Sequence, residues 1–341
     1  MWIYFFKRIL MIIPTLFGIT LLSFIIINLA PGSPLEQELQ KMKFASGLDG
    51  GTGAGSSTYG VSEEVLEALK KQYGFDKPLL VRYGIWLKNI ATFDFGDSFS
   101  TYDPVLDMII ERFPVSLQFG LVSLFFMYLI CIPLGVFKAV KDGTHFDAIS
   151  SFILFVMYSI PPLMLGILLI VFFAGGSFYD WFPLGGLHSE DYEYMLWYQK
   201  IFDRIHHFVL PMICYMIGSF TVLTFLMKNS LLDVIKLDYI RTARAKGLDE
   251  KKVVYKHALR NALIPLATGL SSILGIFLAG SIIIEQIFSL EGIGLLSYKA
   301  ALDRDYNVLM GLIFIQSILM LIGRIISDFL YIIIDPRIDF S

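Results

Sequence analysis

The densest group of chemistry-bearing side chains lies between residues 228 and 262. That segment holds nine Lys or Arg and four Asp or Glu, a net charge of +5 in a chain that totals −3. Within it Arg241, Arg244 and Lys246 alternate with the small residues Thr242, Ala243, Ala245 and Gly247, and Leu248, Asp249 and His257 follow. Cations set on a low ridge suit a surface over which an acidic cleft of a partner closes. A plain juxtamembrane basic segment attracted to anionic lipid would explain the charge but not the small-residue turn. Three further charged residues lie in or beside apolar runs: Glu285, Arg324 and Asp328. Charges in such places are functional candidates by default. Glu285 reads as a pathway or gate residue, or as a group at headgroup level. Arg324 and Asp328, spaced i, i+4, read as a structural ion pair on one helix face.

Several chemistries find no support. No HExxH, GxSxG or GxxxxGK[ST] occurs, which argues against a zinc hydrolase, a serine hydrolase and a nucleotide-binding loop. Residues 46–57 hold five glycines, but no Lys follows any of them there, so they read as a flexible loop. His206 and His207 are adjacent, roughly 100° apart on a helix, and share a metal poorly. Cys131 and Cys214 have no metal-ligand or CxxC spacing. No metal site is expected, and the slightly negative charge gives nucleic acid no reason to bind.

The elements that must carry these residues are membrane helices. The 341 residues are 56% hydrophobic and 17% charged, and the mean hydropathy is +0.67. A soluble domain carries roughly 25% charge. Six long apolar runs stand out: Ile9–Ala30, Pro114–Phe137, Ala148–Tyr179, Phe208–Met227, Asn261–Ile284 and Tyr306–Ile334, the last interrupted by Arg324 and Asp328. A hydrocarbon core about 30 Å thick needs roughly 20 helical residues, and helices satisfy their own backbone groups in lipid. The expectation is an all-α integral membrane protein with six transmembrane helices. The third run exceeds one span, so Gly175-Gly176 should lie beyond its helix, and Pro14, Pro133, Pro161 and Pro162 are placed to kink spans. The first run, preceded by Lys7 and Arg8, is too long for a signal peptide and lacks a small-x-small cleavage pattern, so it reads as a retained anchor.

An N-terminus inside the cell puts 14 Lys or Arg in cytoplasmic loops and four in the short outer ones. Both termini are then cytoplasmic. Residues 31–113 become an outer insert, in which order should resume at Ser62 as a helix with Val65, Leu66, Leu69 and Tyr73 on one face. Its aromatics Tyr83, Trp86, Phe93, Phe95 and Phe99 suggest a small cap or a docking surface. The second outer loop, 180–206, is acidic and reads as solvated. In 228–262 the pattern predicts helix, sharp turn, helix. One helix covers Leu231–Ile240 and ends in Arg241–Gly247, with Gly247 as the C′ residue. Asp249 then caps a second helix containing Val253, Val254, Tyr255, Ala258 and Leu259.

The stretch Tyr239–Asn261 resembles the EAA loop of inner-membrane permeases of binding-protein-dependent ABC importers, and more narrowly their peptide branch. Arg241 stands where the Glu of the general pattern would be. Thr242 and Ala243 replace the alanine pair, Gly247 is kept, and His257-Ala258-Leu259-Arg260 replaces Ile-x-Leu-Pro. That departure is typical of the dipeptide, oligopeptide and nickel permeases. Ala30-Pro31-Gly32-Ser33-Pro34, Tyr73-Gly-Phe-Asp-Lys-Pro78, Asp94-Phe-Gly-Asp-Ser98, Ser159-Ile-Pro-Pro162, Glu285-Gln-Ile-Phe-Ser289, Glu291-Gly-Ile-Gly294 and Asp335-Pro-Arg-Ile338 fit the same branch. The glycine-bearing insert, Phe173-Ala-Gly-Gly176 and the ending at Phe340 look most like Yej-type permeases, a group associated with oligopeptides and microcin C.

The resemblance implies a type I importer permease fold: a first helix over 1–30, the outer insert 31–113 with 46–60 flexible, and a five-helix core over 114–341 carrying the coupling loop 228–262. It implies a bacterial inner-membrane protein that forms half of a peptide pathway. Its partners would be a second related permease, two cytoplasmic ATPase domains that bind ATP and Mg2+, an external peptide-binding protein and membrane lipid. The chain itself would bind no cofactor and hydrolyse no ATP. Residues Arg241–Asp249 and His257 would couple to the ATPase, with Arg241, Arg244 and Lys246 pairing with acids of its groove. A nickel or other small-solute permease is one alternative, although the His and Met positions form no converging ligand set. An ion-coupled secondary transporter is the other, although no inverted repeat is evident.

Overall fold

Prolines and caps decide where the apolar runs stop. The computed structural model describes residues 2–29, 67, 76–176, 178–270 and 280–334. Its helices, in chain order, are α1 (Trp2–Leu29), α2 (Leu79–Ala91), α3 (Val105–Val140), α4 (His145–Ser159), α5 (Pro162–Phe173), α6 (Trp197–Val234), α7 (Asp238–Ala245), α8 (Glu250–Lys252), α9 (Leu259–Ala262), α10 (Ile282–Ile287), α11 (Ile293–Leu302) and α12 (Tyr306–Ile334). A π-helical turn, Val253–Ala258, joins α8 to α9, and a 3-10 turn covers Glu190–Tyr194. The predicted helix starting at Ser62 and the flexible 46–60 lie outside the described residues.

Four of these helices are long and apolar enough to cross a membrane, or five if the bent pair α4 and α5 counts as one span rather than a re-entrant loop. The predicted run Asn261–Ile284 includes 271–279, outside the described residues. The third run is not one straight helix: it bends by 95° between Ser159 and Pro162. Proline disfavours helix in the residue before it and removes an N–H donor, so Ile160 and Pro161 adopt extended backbone and Pro162 restarts the helix. The run then ends at Phe173, with Gly176 at φ +66°, so Gly175-Gly176 does lie beyond the helix. Pro14 and Pro133, by contrast, sit inside continuous helices. The helix that holds the fourth run starts earlier, at Trp197, so His206 and His207 lie within α6.

The chain divides into two compact units. The first comprises 1–10, 112–296 and 318–341, and the second comprises 11–111 and 297–317. In the first, Phe119, Met127, Cys131, Leu210, Cys214, Leu223, Met227, Leu231, Leu266 and Phe288 form one buried cluster. Phe119 stacks on Phe208 at 4.1 Å between ring centroids. Helices α3 and α6 touch at Gly135, where a Cβ would lie 2.6 Å from the Met227 Cβ and 2.7 Å from the Thr224 carbonyl oxygen.

In the second unit, Tyr83 of α2 shares a hydrogen bond of 2.9 Å with Thr20 of α1. Tyr83 stacks on Trp86 and packs against Phe24, and Trp86 and Phe95 meet Phe314. Asp305 caps α12 by accepting the Val308 N–H, and its other oxygen accepts from the Ser98 and Ser100 hydroxyls. The aromatics after residue 80 are thus packing groups, with Phe93 left exposed.

Candidate functional site

The basic hairpin is built by one short turn and two caps. Helix α6 ends at Val234, and after 235–237 the chain restarts as α7, with Asp238 at its positive end. The predicted single helix Leu231–Ile240 is therefore two helices. Leu231 and Ile240 are both fully buried in the same cluster, and the turn between them is what lets both reach it. Ala243, Val253, Val254, Ala258 and Ala262 extend that buried stripe. Asn261 donates to the Tyr239 hydroxyl at 2.9 Å, and Ser230 donates to the Ala262 carbonyl at 2.8 Å. Both arms are thereby fastened to each other and to α6.

At the tip, Gly247 has φ +75°. Its N–H bonds the Arg244 carbonyl and the Leu248 N–H bonds the Ala243 carbonyl. This is the Schellman pattern, and glycine fits its left-handed C′ position without a Cβ penalty. Asp249 holds the N-cap position of α8 through extended backbone. Arg244 closes the turn by donating from Nε to Glu250 Oε2 at 3.0 Å and from Nη2 to Oε1 at 2.6 Å.

The predicted docking residues therefore divide. Arg241, Thr242, Ala245, Lys246, Gly247, Leu248 and Asp249 are exposed, and His257 is half-buried. Ala243 faces the core and offers no surface to a partner. Arg244, expected to seek acids on a partner, already holds Glu250. Arg241 reaches Asp238 at 3.4 Å, an exposed i, i+3 contact worth little. The Arg244 guanidinium holds the Glu250 carboxyl below its ordinary range, and Glu250 raises Arg244 in turn. A depressed carboxyl contributes above its unfolded pKa and loses that contribution as pH falls through the folded one. Protection of the Gly247 and Leu248 amides, corrected for intrinsic exchange, should thus be flat with pH near neutrality and should fall below pH ~4. Glu250→Gln should remove that acid step and lower the protection near neutrality.

Glu285 lies 0% exposed. Its Oε1 accepts from Ser116 Oγ (3.0 Å), Tyr215 OH (3.3 Å) and Ser281 N–H (3.2 Å), and Oε2 accepts from Leu295 N–H (2.7 Å). Ser116 Oγ in turn accepts from the Ile293 N–H at 2.8 Å. A Cβ at Gly280 (φ +77°) or at Gly292 would strike the Glu285 carboxylate. The carboxylate thus ties α3, α6 and the turn between α10 and α11 together. It is enclosed here and does not line an open path.

The Arg324–Asp328 pair is not formed. Asp328 instead meets Arg8 of α1, with Nε 3.1 Å from Oδ2. Arg324 points to the exposed face of α12 while Asp328 is half-buried beside α1, so spacing alone does not bring them together. Ser116, Tyr215, Lys138, Asp147 and Lys228 escaped the sequence reading as site residues. For Ser116 and Tyr215 the one signal was a polar side chain inside an apolar run, while Lys138, Asp147 and Lys228 each border such a run.

Compared with known proteins, residues 131–340 match the family model for the binding-protein-dependent transport system inner membrane component. The chain belongs to that family. A "Peptidoglycan transport system permease protein YejB" of Agrobacterium fabrum is 43% identical over 99% of this chain and 98% of its own length. An "Inner membrane ABC transporter permease protein YejB" of Escherichia coli O157:H7 is 42% identical over 99% of both. An "Oligopeptide transport system permease protein AppB" of Bacillus subtilis is 37% identical over 99% of both. The permease-family fold is also that of a chain from the MetNI methionine ABC transporter in an inward-facing form. The TM-score is 0.51 at 19% identity, covering 68% of this chain and 98% of the other.

Proposed function

We propose that this chain is one permease of a peptide-importing ABC transporter, with six spans, both termini in the cytoplasm and residues 31–113 outside. Family membership and relatives named as peptide and peptidoglycan permeases support the cargo class. Microcin C-like peptides are the finer reading. A second related permease would complete the pathway, cytoplasmic ATPases would bind the ATP and Mg2+, and an external binding protein would deliver the peptide.

The observation that carries the coupling role is the hairpin itself. Its apolar stripe is anchored in the core at the end of α6, while its tip presents Arg241, Thr242, Ala245, Lys246, Gly247 and Leu248 outward. An ATPase groove closing on that tip would move α6 with it. ATP would thereby favour one of two permease conformations through differential binding.

Gly247→Trp tests this. Nothing lies within 4 Å of a Cβ at Gly247, so the indole would project into the space a partner would occupy. Gly247→Ala carries the same backbone strain, ~1–2 kcal/mol, without the bulk. Membrane levels of both should match the parent. In proteoliposomes holding the whole importer, the Trp variant should lose ATP-driven uptake while Ala retains most of it. Parental uptake and ATP turnover in the Trp variant would refute docking at this tip.

A further inference from the structure

Away from Glu285, a second buried polar cluster sits where α6 approaches the hairpin. Lys138, near the end of α3, is fully buried. Its Nζ donates to the Asp147 carbonyl (3.1 Å), Ser150 Oγ (2.7 Å) and Ser151 Oγ (2.8 Å) and stands 3.1 Å from Asp147 Oδ1. Its charge also lies 5.2 Å from the centre of the Phe225 ring. Lys228 of α6 donates to Asp147 Oδ2 at 2.7 Å and lies 2.8 Å from Asp142 Oδ1. The Gly143 N–H adds a bond to Asp147 Oδ2 at 3.3 Å. Two lysines and two aspartates balance, and one carboxylate, that of Asp147, is held by both lysines.

The position of this cluster is what gives it consequence. Lys228 lies on the last turns of α6, which passes through residues 235–237 straight into α7. One turn further along, Leu231 packs in the same buried cluster as Ile240 and Ala243 of α7. A push on α7 therefore arrives at α6, and the Lys228–Asp147 pair is an ionic link from α6 to the α3–α4 hairpin, alongside the Lys228–Asp142 contact and the bond from the Thr221 hydroxyl to the Leu154 carbonyl. Helix α4 ends at the 95° break before α5. Replacing a buried ion pair with apolar side chains is often neutral for stability, so such a pair is weakly justified as glue. What it supplies is direction: Asp147 accepts Lys138 and Lys228 from different helices in one geometry.

We propose that Asp147 is a positioning residue for transport, locking the α3–α4 hairpin to α6 so that the hairpin and the docking helices move as one body. This rests on the importer reading above, and the experiment separates the two. Nitroxides are placed at Ile149 on α4 and at Asp238 at the start of α7, both exposed, the second outside the docking tip. Their separation is measured by pulsed electron resonance in the intact importer, nucleotide-free and trapped with ATP and vanadate. The parent should give the same distance in both states. In Lys228→Met the two states should differ, and peptide uptake per ATP hydrolysed, read with a labelled tripeptide or tetrapeptide mixture, should fall about fivefold or more. Lys228→Arg should restore both readouts.

A parent distance that changes on trapping overturns the proposal even if no variant assembles. So does a Met variant with parental distances and coupling. A chain that never co-purifies with an ATPase strikes the importer reading, and the transmission proposal falls with it.

Discussion

Glu285→Ala should leave almost no folded permease after extraction into detergent, whereas Glu285→Gln should be recovered with a lowered melting temperature. The alanine variant removes the acceptor shared by Ser116 OH, Tyr215 OH and the N–H groups of Ser281 and Leu295 and leaves a void. A buried donor left without a partner costs ~1–3 kcal/mol. The two hydroxyls can turn elsewhere and the Ser281 N–H keeps the Tyr215 hydroxyl at 3.1 Å, but the Leu295 N–H loses its acceptor. Together with the cavity the side chain leaves, roughly 2–5 kcal/mol for a large-to-Ala change, the loss is several kcal/mol against a total stability of ~5–15 kcal/mol for an ordinary domain. Glutamine keeps an acceptor for Ser116, Tyr215 and Ser281 but sets its NH2 against the Leu295 N–H, at a cost of ~1–3 kcal/mol. Melting followed by size-exclusion chromatography decides. An alanine variant that melts within about 2 °C of the parent would show that the carboxylate does not hold this junction.

Gly135→Leu is expected to be equally damaging for a different reason. The α3–α6 contact at Gly135 is backbone against backbone, the close approach that small residues permit between membrane helices. With the Thr224 carbonyl and the Met227 Cβ both inside van der Waals reach of a new Cβ, no rotamer relieves the clash, so the helices must separate. Overpacking usually costs ~1–3 kcal/mol, and a contact that only helix movement can relieve belongs at or above the top of that range. Separation would also open the cluster around Met127, Cys131, Leu223 and Met227. Gly218→Leu is the internal control, because nothing lies within 4 Å of its Cβ on α6. The same chromatographic melting should show Gly135→Leu aggregated and Gly218→Leu near the parent. Equal melting of the two would mean that α3 and α6 do not meet as described.

What the sequence made legible follows from where the physics is local. The last span, Tyr306–Ile334, was read with the bounds it has, because Asp305 and the start of apolar continuity coincide. Gly247 was readable as a C′ residue from its type and neighbours alone. The errors share a cause. The absence of Gly or Pro from Leu231–Ile240 hid a turn that only tertiary burial demands, and Pro161 and Pro162 marked a kink in 148–179 without giving its 95° angle. Lys138, one residue past the apolar run that ends at Phe137, is buried by partners from α4 that the local sequence does not announce. Glu285 draws its hydroxyl donors from 169 and 70 residues away, separations at which no periodicity carries a signal. Asp328 likewise found its partner 320 residues away and passed over the one four residues off.

The clasp between Arg244 and Glu250, with the Schellman turn inside it, has a thermodynamic corollary. A tip whose shape is fixed in advance has little disorder left to surrender on meeting another protein. Recognition there would resemble a key entering a lock. Calorimetry would record a heat-capacity change sized to the area covered, without the larger signature of a segment that folds as it binds.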